Sequence, residues 1–216
     1  MNYIDKDKLI GACVRLDLSL DADRLTQEVT GIATDEWFVG NRSQQVHSDV
    51  DAIFLRGYAP REGNKPIDDR EILNQLPYIS EVIHQQIPAP PLRCLLARLA
   101  PCGSVKLHAD NGVYFRKTLR LHIPVVTSPA ASMYCSGHFY RMQSGEVWAL
   151  NNIGIHGVLN EHASIARTHI ICDFQPTPEL LGVIAAGQSD LGVEDPAAYA
   201  RLQTASDSSS ASPSKP

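Results

Sequence analysis

His108-Ala109-Asp110, followed by His156 and then Arg167, is the part of this chain whose residue types could do chemistry. Two imidazoles and one carboxylate can occupy one triangular face of an octahedral metal. The opposite face then stays open, the arrangement that suits non-haem Fe(II) and oxygen. His108 and Asp110 are two residues apart, so on a strand or at its mouth both side chains point the same way. His156 must come from a distant strand, which a closed or sandwich-like fold delivers. The same residues also read as a surface histidine, an Asp-Asn-Gly turn and a loop cap, and a chain with eight histidines offers such matches by chance. His47, His84, His138 and His162 stand in polar or loop contexts and are expected to be solvated, with His138 a candidate for the entrance and His169 for a place behind the ligands.

The elements that must position these groups are readable in outline. Asp21 to Gly31 spaces Leu25 and Val29 four apart, with acidic residues at its start and glycine at its end, and predicts a helix. Asp68 to Gln86 carries Ile72, Leu76, Ile79, Val82 and Ile83 at helical spacing, with Pro77 splitting it or starting a second helix. Asp51 to Arg56 reads as a strand, and Ala59 to Pro66 as a polar loop. From Pro91 onward the pattern turns to strands: Leu92 to Ala100 with Val105 to His108 as its hairpin partner, Thr118 to Val126, Gly145 to Leu150 and Thr168 to Phe174. Short strands with turn signals at close spacing mark a sandwich or barrel. Thr204 to Pro216 is Ser, Ala, Pro and Lys in large part and is expected to be a disordered tail.

Composition bounds the partners. A net charge of −5 argues against nucleic acid and anionic membranes, which need clustered Lys and Arg. No stretch approaches the roughly 20 apolar residues of a membrane span. The N-terminus lacks the basic and apolar regions of a secretory signal, so a cytoplasmic location is expected and Asn41-Arg42-Ser43 reads as a polar turn. Five cysteines without a C-x-x-C pair read as free thiols rather than a disulfide frame or a zinc site.

On the strand from Thr118, Leu119, Leu121 and Ile123 face one side while Arg120 and His122 face the other. Arg167 opens a strand on which His169, Ile171 and Asp173 share its face. Two arginines near the proposed ligands would be matched by a dicarboxylate such as 2-oxoglutarate, since Arg–carboxylate pairing is the strongest common grip on that group. The alternative is structural salt bridges to Asp173 or Glu161.

Leu107-His108-Ala109-Asp110, Arg120-Leu121-His122, Gly145-Glu146-Val147-Trp148, His156-Gly157-Val158-Leu159-Asn160 and Arg167-Thr168-His169 together resemble the aspartyl/asparaginyl β-hydroxylase family. This is a family of cupin-like Fe(II)/2-oxoglutarate dioxygenases, and bacterial proline cis-4-hydroxylases are similar. The resemblance runs from about Leu92 to Phe174. It implies a mainly β fold with N-terminal helices, a double-stranded β-helix or jelly roll. One domain over 1–203 is expected, helical to about 90 and jelly-roll over about 91–176, before the tail at 204–216. It implies His108, Asp110 and His156 as iron ligands and Arg167 as the anchor of the distal 2-oxoglutarate carboxylate, with Arg120 and His122 in the same pocket. Fe(II), 2-oxoglutarate and O2 would be the cofactor and cosubstrates. No catalytic group beyond the ligands is expected, and Trp148 reads as core. Thr168-His169 departs from the leucine-rich version common in the family.

The expected activity is hydroxylation of an unactivated C–H on a small carboxylate, a free or carrier-bound amino acid. Arg98, Tyr114 and Arg116 are the substrate-side candidates. Two alternatives stand beside it: Asp or Asn side chains of a protein or peptide as substrate, and a metal-binding cupin without 2-oxoglutarate turnover.

Overall fold

A computed structural model describes residues 3–37, 46–58 and 66–207. The elements in chain order are α1 (Lys6–Leu9), β1 (Cys13–Ser19), α2 (Ala22–Thr30), β2 (Val50–Arg56), α3 (Pro77–Glu81), β3 (Pro91–Leu99), β4 (Ser104–His108), α4 (Val113–Lys117), β5 (Leu119–Val126), β6 (Ala131–Cys135), β7 (His138–Tyr140), β8 (Glu146–Leu150), β9 (His156–Asn160), β10 (Arg167–Phe174), α5 (Pro178–Ala185) and α6 (Pro196–Asp207). The strands form a six-stranded sheet, β1-β8-β5-β10-β3-β2, and a four-stranded sheet, β4-β9-β6-β7. Their pairings are antiparallel. The two sheets face each other as a double-stranded β-helix.

Alternation along the strands divides the apolar residues between faces. Leu119, Leu121, Ile123, Ile170, Cys172 and Phe174 pack outward from the large sheet against Leu25, Val29, Ile79, Ile83, Leu180 and Ile184 of the helices. Leu95, Leu99, Leu150 and Ile171 face inward and meet Val105, Met133 and Val158 of the small sheet. A third cluster covers the outer face of the small sheet, where Ala198 and Leu202 of α6 pack on Tyr134 and Leu159.

The expected helix at Asp21 to Gly31 is α2, its N-terminus capped by the Asp21 carboxylate accepting from the Arg24 N–H. Pro77 does start a helix: a 3-10 turn at Glu71–Gln75 precedes it, and a π turn at Val82–Gln86 carries the chain on. The hairpin expected between Leu92–Ala100 and Val105–His108 is not formed. β3 lies between β10 and β2 in the large sheet, while β4 crosses to the small sheet and pairs with β9. The corner between them is tight: Cys102 takes φ 53, and a Cβ on Gly103 would meet the Ala100 carbonyl at 2.9 Å. Asp49 locks it, its carbonyl accepting from Ala100 N at 3.0 Å and its carboxylate from Ser104 N at 3.0 Å.

β1 and β2 complete the large sheet, so the first 90 residues are less purely helical than expected. The expected tail begins too early as well. α6 continues through Asp207, so Thr204 to Asp207 form its last turn, and the Ser206 hydroxyl accepts from Leu107 N at 3.0 Å. Replacing Ser206 with alanine is therefore expected to cost about 1 kcal/mol, a fall of about 2–4 °C in Tm for a chain this size. An unchanged melting curve would contradict the contact. Residues 208–216, the polar loop at 59–65 and the 41–43 turn lie outside the described residues. The described cysteines are free thiols, with Cys102 exposed and the other four buried. Among the described residues no helix is long and apolar enough to cross a membrane.

Candidate active site

β4 and β9 bring the first two groups together. His108 and His156 are directly opposite in the register of this pair, and their ring centroids are 4.2 Å apart. Each ring is turned by a backbone carbonyl: His108 Nδ1 lies 2.8 Å from the Lys106 oxygen, and His156 Nδ1 lies 3.0 Å from the Gly154 oxygen. A carbonyl only accepts, so each Nδ1 carries a hydrogen, and in the neutral ring Nε2 then keeps its lone pair. Asp110 follows β4 and is tied to the β8–β9 turn, donating its N–H to the Asn152 carbonyl at 2.8 Å. Its Oδ2 accepts from Asn152 Nδ2 at 2.9 Å and from Arg120 Nη1. One ligand atom from each of His108, Asp110 and His156 lies within 4.8 Å of the others, close enough for a shared ion to draw in all three.

The protonation states suit a metal. Burial opposes the charge on Asp110, but Arg120, then His156, Asn152 and His108 hold its carboxyl well below the usual carboxylate range. Burial first, and His108 next, bring His156 down to about 4, so near neutral pH its imidazole is uncharged.

The large sheet supplies the facing wall. Arg120 and Asp173 are directly opposite on β5 and β10, and Asp173 receives Arg120 Nε at 2.8 Å and Nη2 at 3.0 Å. Burial disfavours the charged guanidinium, but Asp173 and Asp110 more than offset this and hold it charged. Arg120 thus follows the structural salt-bridge alternative: two carboxylates occupy it, and it braces Asp110. Glu161, the other carboxylate named for that role, pairs instead with Arg201. Because Asp173 is 1 % exposed, removing it would leave Arg120 partly unmatched in the interior. We expect Asp173→Ala to lose about 3–5 kcal/mol of stability, measured by urea unfolding. A loss below about 1 kcal/mol, the scale of an exposed pair, would contradict the bracing role.

Arg167 behaves differently. It is 5 % exposed, and among the described residues no carboxylate lies within ion-pair reach of it. Its Nη2 is 3.0 Å from His169 Nδ1, and burial brings its pKa down to about 9, so it remains a cation at neutral pH. His122 Nδ1 and His169 Nε2 are buried without a partner, and burial first, then Arg167, hold both rings well below the usual imidazole range. Buried polar atoms are nearly always matched; of these two rings His122 lines the cavity, while His169 reaches the Arg167 guanidinium. Between the sheets lies a cavity reached by His108, Asp110, His156, Arg120, His122 and Arg167, with Leu99, Met133, Val158 and Ile171 as apolar wall.

The substrate-side candidates do not line that cavity. Arg98 pairs with Asp51 at 2.9 Å and stacks on Trp37, and Arg116 is exposed on α4. Tyr114, also on α4, is half-buried with its ring beneath the Arg93 guanidinium. His47, expected to be solvated, lines the cavity edge-on to His108 at 5.2 Å. Its sequence context holds no signal for this, since it precedes a strand by a short turn. Trp148 is core, as expected, buried and packed edge-on against Tyr140. Gly145 sits at φ +81, where a Cβ would meet the Leu20 carbonyl at 2.6 Å.

Comparison with known proteins places the chain. The profile of the family described as Aspartyl/Asparaginyl beta-hydroxylase matches residues 28–176. No curated protein matches. A prolyl hydroxylase from Trichoplax adhaerens, solved with a hypoxia inducible factor peptide fragment, superposes with a TM-score of 0.51 at 9% identity, covering 79% of this chain and 86% of that one. A Pseudomonas putida prolyl-4-hydroxylase gives 0.47 at 14% identity, covering 80% and 96%. A 2OG-Fe(II) oxygenase family oxidoreductase from Burkholderia pseudomallei gives 0.45 at 11% identity, covering 71% and 77%. The Trichoplax enzyme shows a shared fold. The profile spans more than two thirds of the sequence, from α2 through β10, and the chain belongs to the aspartyl/asparaginyl β-hydroxylase family.

Proposed function

We propose that this chain is a Fe(II)/2-oxoglutarate-dependent hydroxylase of a small carboxylate substrate, a free or carrier-bound amino acid. The observation that carries the reading is one cavity holding both a His-Asp-His face and a buried guanidinium that, among the described residues, has no carboxylate of its own. His108, Asp110 and His156 would hold the iron, and Arg167 would grip the distal carboxylate of 2-oxoglutarate. His122 offers an unmatched ring nitrogen in the same cavity, and His169 holds Arg167 from outside the lining. When bound, iron with 2-oxoglutarate and oxygen supplies an oxidant able to replace an unactivated C–H by C–OH, with succinate and CO2 as coproducts.

The protein's share is orientation and exclusion of water. The two Nδ1–H donors fix the imidazoles and leave Nε2 of each neutral ring as the atom that would meet the ion. Arg120 and Asn152 occupy Oδ2 of Asp110 and leave Oδ1 for the ion. Leu99, Met133, Val158 and Ile171 keep the surroundings dry. On the substrate side Arg98 is engaged, Arg116 is exposed and Tyr114 lies outside the cavity lining, so none of the three is proposed as a direct contact in this cavity.

The test is succinate release from iron-loaded protein across the free amino acids, with Asp- and Asn-containing peptides in parallel. One free amino acid is expected to raise succinate above the substrate-free rate, one succinate per hydroxyl formed. Stimulation by peptides alone would replace the substrate class proposed here. No succinate under any condition would favour a metal-binding cupin without turnover.

A further inference from the structure

We propose that Lys6 and Asn152 act as one unit that positions the Asp110 carboxylate, which makes the first helix of the chain part of the metal centre. The inference rests on the reading of His108, Asp110 and His156 as a metal site. Lys6 is 1 % exposed. Among the described residues it has no carboxylate within ion-pair reach, and its ammonium donates to Asn152 Oδ1 at 2.6 Å. Burial first, then Arg120, brings the Lys6 ammonium down to about 8, with Asp173 and Asp110 acting against that from beyond ion-pair reach. Its charge is therefore costly here, and a methionine would fill the space without that penalty. The packing of α1 therefore gives no reason for a lysine there. The Asn152 amide does.

An ammonium can only donate, so it fixes which way the amide points: Oδ1 toward Lys6 and Nδ2 toward Asp110. The reversed amide would set an oxygen against the carboxylate. With Nδ2 held at 2.9 Å from Asp110 Oδ2, and Arg120 on the same oxygen, both donors converge on one atom. Oδ1, 4.0 Å from His108 Nε2, is left as the single atom offered to the ion. Asn152 also accepts the Asp110 N–H at 2.8 Å, so it holds backbone and side chain together. Its neighbour Asn151 clamps the helix from the other side, donating to Asp7 Oδ1 at 2.8 Å and to the Gly11 carbonyl at 2.7 Å. This dipeptide lies in the turn that leads to His156, so one contact surface joins α1 to two of the three proposed ligands.

The test is an anaerobic Co(II) titration of full-length metal-free protein against a competing chelator, with the visible Co(II) bands and a thermal melt recorded for each variant. Partners behind a metal ligand typically change affinity by about 10- to 100-fold when removed, and that increase in Kd is expected for Lys6→Met and for Asn152→Ala. Their combination should weaken binding no more than the worse single change, because both break one relay. A folded Lys6→Met with a wild-type Kd, or losses that multiply in the double variant, would overturn the inference. If Lys6→Met does not fold, Lys6→Gln, which keeps a donor without the charge, should hold a Kd between those of wild type and Asn152→Ala, and a folded Lys6→Gln as weak as Asn152→Ala would overturn the donor role of Lys6. Wild-type protein that binds no Co(II) would overturn the metal reading itself, a result distinct from equal affinities in wild type and variant.

Discussion

Replacing Asp110 with alanine is expected to abolish 2-oxoglutarate turnover and to weaken metal binding by at least about a hundredfold, the upper end of what removing a mere supporting partner does. Asp110 supplies the one anionic atom of the proposed site, and its charge is held in place by Arg120, His156, Asn152 and His108 against the effect of burial. Two neutral imidazoles alone would bind a divalent ion far less tightly. The fold should survive, because Arg120 keeps its two-pronged contact to Asp173 at 2.8 and 3.0 Å. Succinate release, Co(II) affinity and a circular-dichroism melt separate these effects. Wild-type succinate yield from folded Asp110→Ala would refute the ligand assignment, and His156→Ala is expected to behave the same way.

Arg167→Met is expected to act on the cosubstrate instead. Removing one partner of a buried, hydrogen-bonded charge pair costs about 2–5 kcal/mol, which is about thirtyfold to a few thousandfold in the KM for 2-oxoglutarate, with a smaller change in kcat. Its effect on stability should have the opposite sign to that of Asp173→Ala. In the cosubstrate-free protein Arg167 is a buried cation with, among the described residues, no carboxylate beside it. Exchanging it for an apolar side chain of similar length should be neutral or stabilising by about 1–4 kcal/mol. An unchanged 2-oxoglutarate requirement, or a large loss of stability without cosubstrate, would make Arg167 a structural residue.

How much of this was legible depended on whether local pattern or long-range pairing set each feature. α2 and the helix start at Pro77 follow from caps and spacing, and both appear as expected. The alternation around Arg120 and His122 correctly separated the cavity face from the helix-packed face, because strand period is a local property. Pairing is not local. Val105–His108 looked like a hairpin partner of β3 because it follows a short turn, but the corner at Cys102-Gly103 redirects it into the other sheet. That crossing is what sets His108 opposite His156. By residue type and strand face the two arginines were alike and only the family resemblance separated them; the structure adds that Arg120 faces two carboxylates while Arg167, among the described residues, faces none. Lys6 was invisible for a similar reason. A lysine in a charged N-terminal stretch reads as solvated, and its burial depends on an asparagine 146 positions away. The tail was cut short because Thr204 to Asp207 are polar, yet Leu202 and Ser206 anchor that turn to the small sheet.

The central claim is that one cavity binds a ferrous ion and 2-oxoglutarate together. The direct measurement is a titration of the metal-free protein with Fe(II) and then 2-oxoglutarate under argon, followed by visible absorption. A weak charge-transfer band should grow to saturation when both are present, shift to much higher 2-oxoglutarate concentration in Arg167→Met, and disappear in Asp110→Ala. Well-folded wild-type protein that gives no band at saturating iron and 2-oxoglutarate would contradict the account.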